Sequence, residues 1–274
     1  MDIRLICMDL DGTALRNDHH TFSPRLLAAL EAAHEKGIAI APVTGRQYAM
    51  LPRVLQEHPV WENLAVLCNG GQVRRLGTGE CLFRLDIPSE ALQALLRLAQ
   101  KYDLPMEFSV DSTLHLTRRS LEQQKPWPSL AFHRDTILAS HGRIVDSLEP
   151  LCASAVEKVN LMCIPEEIRD AVQRDLGDIP FSAVWASRSS MEITHPDANK
   201  GNGMRTVCRL LDISREQTLA LGDSGNDETM LRQAGLGVAM GNAPDFVKAA
   251  ADAVTETNEH DGAAIAIERY ALNL

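Results

Sequence analysis

The sequence has no Cys-x-x-C pair, no long apolar run and few aromatic residues, and each shortage removes a class of protein. Its six cysteines, Cys7, Cys68, Cys81, Cys152, Cys163 and Cys208, are scattered. Without paired spacing they form neither a zinc site nor a disulfide frame, and they read as small buried hydrophobes in a reducing compartment. No stretch approaches the roughly 18 apolar residues that a membrane span needs. Met1-Asp2-Ile3-Arg4 lacks a basic region ahead of an apolar one, so the expectation is a cytoplasmic protein with no membrane partner. Positive charge is also short: 27 Lys and Arg stand against 37 Asp and Glu, a formal net charge of −10. That balance argues against nucleic acid, whose phosphate backbone demands a basic footprint, and it means that an anionic small substrate needs a local cation. With aromatics at 4% and apolar residues at 45%, the core is built from Leu, Ile, Val and Ala, and no repeat or low-complexity tract breaks the globular pattern.

What is present begins with a strand at Asp2 to Met8, whose apolar Ile6-Cys7-Met8 stops at two carboxylates, Asp9 and Asp11, ahead of Gly12-Thr13. In extended chain, residues i and i+2 point the same way, which puts both acids on one side at the carboxyl end of a strand, where open α/β sheets bind ligands. The plainer reading of Asp-Gly is a hairpin turn. Against it, the following Ala14 to His20 is polar, and Ser23-Pro24 supplies an N-cap and first-turn proline for a helix striped by Leu26, Leu27, Leu30 and Ala33 and ended by Gly37. Two more apolar runs, Ile38 to Val43 and Leu64 to Cys68, close on Thr44-Gly45-Arg46 and Asn69-Gly70-Gly71. Strand, helix, strand, helix, strand is the pattern of a parallel sheet.

From about Phe83 the character changes. A helix runs from Pro88 to about Tyr102, strand-like segments cover Met106 to Val110 and Thr113 to Thr117, and Lys125-Pro126-Trp127-Pro128 breaks the chain. A loose stretch from Ser140 to Glu149 leads to a strand at Val159 to Ile164, a helix from Glu166, and strands at Phe181 to Ala186 and Met191 to Thr194. This is the outline of an inserted α+β domain. The parallel pattern then resumes, with a helix at Gly201 to Leu211, a strand at Thr218 to Leu221 ending on Gly222-Asp223, a helix through Met230, a strand at Leu236 to Met240 and a terminal helix from Gly262.

Four segments deliver polar groups to strand ends or the adjoining helix: Asp9 with Asp11; Thr44; Lys200 in Asn199-Lys200-Gly201; and Asp223 with Asp227 in Gly222-Asp223-Ser224-Gly225-Asn226-Asp227. Singly, Thr-Gly-Arg is a strand-end turn, Asn-Lys-Gly is weaker still, and the last segment reads as a polar or calcium-type loop, although it lacks the glutamate that closes an EF-hand loop. In this order the four resemble the haloacid dehalogenase superfamily of phosphotransferases. The insertion between Asn69-Gly70-Gly71 and Lys200, and the tail Gly237-Val238-Ala239-Met240-Gly241-Asn242-Ala243, resemble its Cof-type branch, Mg²⁺-dependent phosphatases of sugar phosphates and small metabolites with a C2-type cap. The resemblance implies an α/β fold: a doubly wound parallel-sheet, Rossmann-like core at residues 1–83 and 189–274, and an inserted α+β cap at 84–188 that carries substrate specificity.

Electrostatics agrees with that reading. Asp9, Asp223 and Asp227 beside a phosphate dianion would repel by roughly 4 kcal/mol per pair at about 4 Å and an effective dielectric near 20. Such a site requires a cation, and oxygen-only ligands suit Mg²⁺. By the family pattern the metal ligands are Asp9, the backbone carbonyl of Asp11, and Asp223, with Asp227 ordering bound water. Asp9 is then the nucleophile that forms an aspartyl-phosphate, and Asp11 the acid that protonates the leaving alkoxide and the base that activates water. Thr44, Gly45 and Lys200 bind phosphate. Arg46, Asn69, Gly70, Asn226 and Asn242 are candidate substrate contacts at the same crevice.

Other polar residues carry less. His19 and His20 read as solvated, on a loop within reach of substrate. His195-Pro196-Asp197-Ala198-Asn199 replaces the Pro-x-Gly-Val that often precedes the family's lysine, and Glu192 lies just before it. His115, Arg118, Arg119 and Arg188 in the insertion have the chemistry to recognise a substrate, but read as solvated surface residues. The alternatives are a phosphomutase, which returns the phosphoryl group to a second hydroxyl of the substrate, and a catalytically silent binding module, which predicts loss of Asp9, Asp11, Lys200 or Asp223, all of them present. Sequence does not name the substrate or the oligomeric state.

Overall fold

The structure, a computed structural model, describes residues 2–57, 60, 64–139, 142–177 and 179–274. Its strands in chain order are β1 (Leu5–Met8), β2 (Ala39–Pro42), β3 (Leu64–Leu67), β4 (Gln72–Arg75), β5 (Cys81–Arg84), β6 (Met106–Val110), β7 (Thr113–Thr117), β8 (Arg143–Val145), β9 (Val156–Leu161), β10 (Ser182–Ser187), β11 (Ser190–Thr194), β12 (Thr218–Gly222), β13 (Leu236–Ala239) and β14 (Ala253–Val254). The chain forms two compact units: residues 1–46, 51–83 and 199–274, and residues 47–50 and 84–198. The second unit takes in β11 and the residues up to Ala198, beyond the boundary at 188 expected from sequence.

In the first unit a five-stranded parallel sheet runs in the order β14-β13-β12-β1-β2. Every residue of β1 is buried and β2 and β12 pair with its two edges, which is why that run is apolar without alternation. The helix Pro24–Glu35 packs with the terminal helix Gly262–Ile267, and the helix Lys200–Leu211 packs with Glu228–Gln233. The chain moves outward from β1 through β2, then re-enters on the other side at β12. The carboxyl ends of β1 and β12 are therefore the switch point where doubly wound sheets bind ligands. Ser23 caps the first helix as expected, its Oγ accepting from the Leu26 amide at 3.0 Å.

β3 departs from the simple parallel reading. It meets β2 through one parallel bridge, Val43 with Val66, and on its other edge it pairs antiparallel with β4 in a three-stranded sheet β3-β4-β5. The reversal takes place at Cys68, Asn69 and Gly70, all with positive φ of 52°, 54° and 97°. A β-carbon on Gly70 would stand 2.1 Å from the Asn199 carbonyl oxygen, so only glycine fits between this turn and the start of the Lys200 helix.

The second unit is a six-stranded sheet, β10-β11-β9-β6-β7-β8, in which β6, β7 and β9 to β11 are antiparallel. One face is apolar: Phe108, Val159, Leu161, Met191 and Ile193 pack on Leu92, Leu95 and Leu98 of the helix Ser89–Tyr102 and on Val172 and Leu176 of Arg169–Leu176. On the other face the buried Glu107 carboxylate accepts from Gln124, His133 and Asn160 at 2.8 to 2.9 Å, and Lys158 pairs with Glu192 at 2.7 Å. The helices Arg118–Gln124 and Ala131–Ala139 and the strand β8 were not expected. Ser140 and His141, the start of the loose stretch, lie outside the described residues. Five cysteines are buried as expected; Cys81 is exposed, on β5, and all six are free. Among the described residues no helix is long and apolar enough to cross a membrane.

Candidate active site

The chain leaves extended form directly after β1. Asp9 keeps strand-like angles and donates its amide to the Leu221 carbonyl of β12 at 3.0 Å, but Leu10–Ala14 closes a single wide turn, with Gly12 at φ 77°. Asp11 therefore sits in a turn and not on a strand, and the i, i+2 alternation does not carry over to it. The carboxylates have different partners: Asp9 meets Lys200, and Asp11 meets Arg46 and His19. The left-handed backbone favours glycine at position 12, and a β-carbon there would lie 2.4 Å from Asp223 Oδ2 and push that carboxylate aside.

Lys200 opens its helix behind the N-cap Asn199, whose side chain accepts from the Asn202 amide at 2.9 Å. The ammonium is buried, 2.7 Å from Asp9 Oδ1 and 2.6 Å from Asp227 Oδ1. Burial alone depresses its pKa, yet Asp227 and Asp9 outweigh that and hold it above the ordinary lysine value. Asp227 is fully buried; its Oδ2 accepts from the amides of Asp223 at 3.0 Å and Ser224 at 2.9 Å in a capping box. Asp227 thus shapes the loop that presents Asp223.

Asp9, Asp223 and Asp227 place one carboxylate oxygen each within 4.8 Å of one another. Burial pushes Asp9 well above the carboxylate range, Asp227 adds repulsion, and Lys200 opposes both. Asp223 is pushed up to about 6 by burial and by Asp227, with Lys200 again opposing. One lysine does not neutralise three acids. The surplus of oxygen donors around a negative potential fits a hard divalent cation.

Thr44, buried at the end of β2, is fixed by its backbone: its amide donates to Val66 and its carbonyl accepts from Asn69. Its Oγ1 accepts from the Arg46 amide at 3.1 Å, which orients the hydroxyl. Gly45 lies between them, half-buried. Arg46 grips Asp11 with two bonds, Nε to Oδ2 at 2.8 Å and Nη2 to Oδ1 at 2.6 Å, and His19 Nδ1 lies 2.8 Å from the same Oδ1. Burial would raise Asp11, but Arg46 and then His19 bring it below the ordinary carboxylate value. His19, read from sequence as solvated, is half exposed and engaged.

The other candidate contacts tie loops together. Asn69 Oδ1 accepts from Asn226 Nδ2 at 3.0 Å, and Asn226 Oδ1 accepts from the Ser224 hydroxyl at 2.6 Å, so the β3 turn is joined to the Asp223 loop. Asn242 donates to the Gly12 carbonyl at 2.9 Å and to Asp223 Oδ2 at 3.3 Å. Sequence reasoning missed Thr13, whose hydroxyl donates to Asp223 Oδ1 at 3.2 Å; its place directly after Asp-x-Asp-Gly was the available signal. Glu192 and His115 belong to the second unit, where Glu192 pairs with Lys158 and His115, read from sequence as a surface residue, is buried on β7 and contacts the Thr113 carbonyl. Arg119 pairs with Asp103 at the surface, and His195 accepts from the Asp197 amide.

The sequence pattern of the haloacid dehalogenase-like hydrolases matches residues 6–267, nearly the whole chain. The chain belongs to that family. A relative in Bacillus subtilis, the putative phosphatase YxeH, is 32% identical over 98% of this chain and 98% of its own length. Another from the same organism, the 5-amino-6-(5-phospho-D-ribitylamino)uracil phosphatase YcsE, is 29% identical over 99% and 97%. Among solved structures, the haloacid dehalogenase subclass IIB sugar phosphatase BT4131 superposes with a TM-score of 0.82 at 26% identity, covering 98% of this chain and 99% of that one. The haloacid dehalogenase core with an additional domain is thus the architecture of this chain, and its acids lie at the sheet's switch point.

Proposed function

We propose that the protein is a Mg²⁺-dependent phosphatase of small phosphorylated metabolites that works through an aspartyl-phosphate. The observation that carries the reading is Asp9 at the switch point, with Oδ1 held by a buried lysine and two further carboxylates beside it. Asp9 Oδ2 attacks phosphorus, and the bond to the ester oxygen breaks. Lys200 offsets the charge of Asp9 and of the incoming phosphate, and the Thr44 hydroxyl, already oriented by the Arg46 amide, donates to a phosphate oxygen, with Gly45 beside it. Asp11 gives a proton to the leaving alkoxide and later takes one from water. Asp9, the Asp11 carbonyl and Asp223 would hold Mg²⁺ with Asp227 behind them, and the ion supplies charge neutralisation at the phosphate.

One relative is named for a phospho-ribityl substrate and one solved neighbour for sugar phosphates, which supports a polyhydroxylated phosphate ester. The second unit, residues 47–50 and 84–198, acts as the cap that selects it. Six free cysteines suit a reducing compartment such as the cytoplasm, and the net charge of −10 suits a small ligand over nucleic acid.

The test is a phosphate-release screen of phosphorylated metabolites on wild type, Asp9→Asn and Asp11→Asn. Asp9→Asn should be silent on every substrate. Asp11→Asn should lose alkyl phosphates but still become phosphorylated by an aryl phosphate, whose leaving group departs unaided. Equal loss in both variants on both substrate types, with no trapped adduct, would favour direct attack by water over the covalent route.

A further inference from the structure

Asp11 is held more firmly than an acid–base residue on a turn needs to be. Arg46 contributes two donors in fork geometry, Nε on Oδ2 at 2.8 Å and Nη2 on Oδ1 at 2.6 Å, and His19 Nδ1 adds a third contact on Oδ1 at 2.8 Å. The guanidinium is itself fixed. Its backbone amide donates to Thr44 Oγ1, its carbonyl accepts from the Cys68 amide at 3.0 Å, and Nη2 also reaches the His19 carbonyl at 3.2 Å.

The His19 loop is pre-formed in the same way. Asp18 Oδ1 accepts from the amides of His20 and Thr21, Arg16 pairs its amide with the Thr21 carbonyl, and His19 stands at φ 60°, a costly backbone for a residue with a β-carbon. A strained residue aimed at a reacting group is a pointer to function. Two segments, 16–21 and 44–46, converge on one carboxylate.

The lone pairs of that carboxylate can be counted. Each oxygen accepts two hydrogen bonds. Oδ1 is saturated by Arg46 Nη2 and His19 Nδ1; Oδ2 accepts Arg46 Nε alone among the described residues and keeps one lone pair. Three contacts on one carboxylate fix its orientation and leave one acceptor position, on Oδ2, for water.

Resting on the phosphatase reading above, we propose that Arg46, backed by His19, is a positioning residue for the second half of the cycle. It holds Asp11 as the proton acceptor for water, with Oδ2 as the accepting oxygen. In that step the water oxygen bonds to phosphorus, the bond from phosphorus to Asp9 breaks with its electron pair returning to the Asp9 carboxylate, and the water proton passes to Asp11 Oδ2. Inorganic phosphate leaves and the protonated Asp11 is ready to serve the next leaving group.

The experiment uses the full chain with Mg²⁺ and 4-nitrophenyl phosphate, whose leaving group needs no acid. In Arg46→Ala, steady-state kcat should fall roughly 10- to 100-fold, part of the 10²–10⁴ that a positioned base supplies. KM should fall with it. A burst of one nitrophenolate per active site and one phosphoryl group on Asp9 in acid-quenched mass spectra should appear, because attack outruns hydrolysis. Added guanidinium should shrink the burst and restore turnover. His19→Ala, on an exposed loop that the core does not need, should show the same accumulation with a smaller loss, and it decides the matter if Arg46→Ala does not fold. A raised KM at unchanged kcat, or slower turnover with no phosphoenzyme in either variant, overturns the clamp and makes Arg46 a substrate-binding group. Asp9→Asn keeps the two readings apart: aryl phosphate turnover that it abolishes upholds the phosphatase even where the clamp fails.

Discussion

Replacing Lys200 with Met tests the site's electrostatics directly. Methionine keeps the length and most of the volume of the buried side chain, so the packing penalty is small. What is removed is the cation at 2.7 Å from Asp9 and 2.6 Å from Asp227, with only 1% of its side chain exposed. At an effective dielectric near 20 each contact corresponds to about 6 kcal/mol of attraction. Most of that offsets the desolvation of the three groups, and stripping one partner from a buried ion pair costs about 3–5 kcal/mol in practice. For a chain of this size about 1 kcal/mol moves the thermal midpoint by roughly 2–4 °C, so the apoprotein in EDTA at pH 8 should melt about 6–20 °C lower, measured by calorimetry. The pH dependence fixes the sign. Asp9 stands above its ordinary value through burial and then the Asp227 charge, and losing Lys200 raises it further. A carboxyl whose folded pKa exceeds its unfolded one regains stability as pH falls through the folded value, so the deficit of Lys200→Met should narrow from pH 8 toward pH 5. Lys200→Met with Asp227→Asn should recover much of the loss at pH 8. A midpoint drop under about 2 °C, or a deficit that widens toward pH 5, refutes the assignment of Lys200 as the charge that balances this cluster.

Three further outcomes follow from particular groups. EDTA should abolish phosphate release and Mg²⁺ restore it, with Ca²⁺ a poor substitute because it prefers a larger, looser shell; full activity in EDTA excludes the metal. Gly12→Ala and Gly37→Ala share a φ of 77°, but only the first drives a β-carbon to 2.4 Å from Asp223 Oδ2, the second meeting nothing within 4 Å. Both should cost about 1–2 kcal/mol of stability in thermal scans, and only Gly12→Ala should lose turnover, by tenfold or more. In the second unit, burial would lower His133, but Glu107 beside it holds it above 6.5, while Glu107 is held below 4.5 against its own burial, by His133 first. The stability from raised His133 is complete below its unfolded pKa and lost as pH rises through the folded one; that from lowered Glu107 is lost as pH falls through its folded value. Melting of the unit should therefore be flat near pH 5–6 and decline toward pH 8, and His133→Gln should remove the alkaline decline.

The grouping at the candidate site was legible because its residues end apolar runs. Asp9, Thr44 and Asp223 each follow a buried strand, and alternation of strands with helices predicts that such ends share one edge. The mutual orientation of Asp9 and Asp11 was not legible, since a five-residue turn replaces the extended chain that the i, i+2 argument needs. Nor was the partner of Asp11: Arg46 is 35 residues away, and no periodicity encodes a contact across two loops. The antiparallel turn of β3 into β4 was hidden because Gln72-Val73-Arg74-Arg75 holds one apolar residue, and its strand character comes from pairing with β3. Cys81 shows the limit of composition: residue type predicted burial, and position on β5 decided against it.

The seclusion of the Lys200 ammonium gives the molecule an internal gauge of its own opening. Amine-directed acylating reagents need an unprotonated nitrogen that they can reach. Lys200 Nζ is protonated, walled in and bonded to two carboxylates, whereas Lys101 and Lys125 are open to solvent. The surface lysines should label at the reagent's ordinary rate, and Lys200 only when the first unit opens. The labelling rate at that one position, read by peptide mass mapping, thus reports how often the first unit unfolds in its native buffer, without denaturant and without an attached dye.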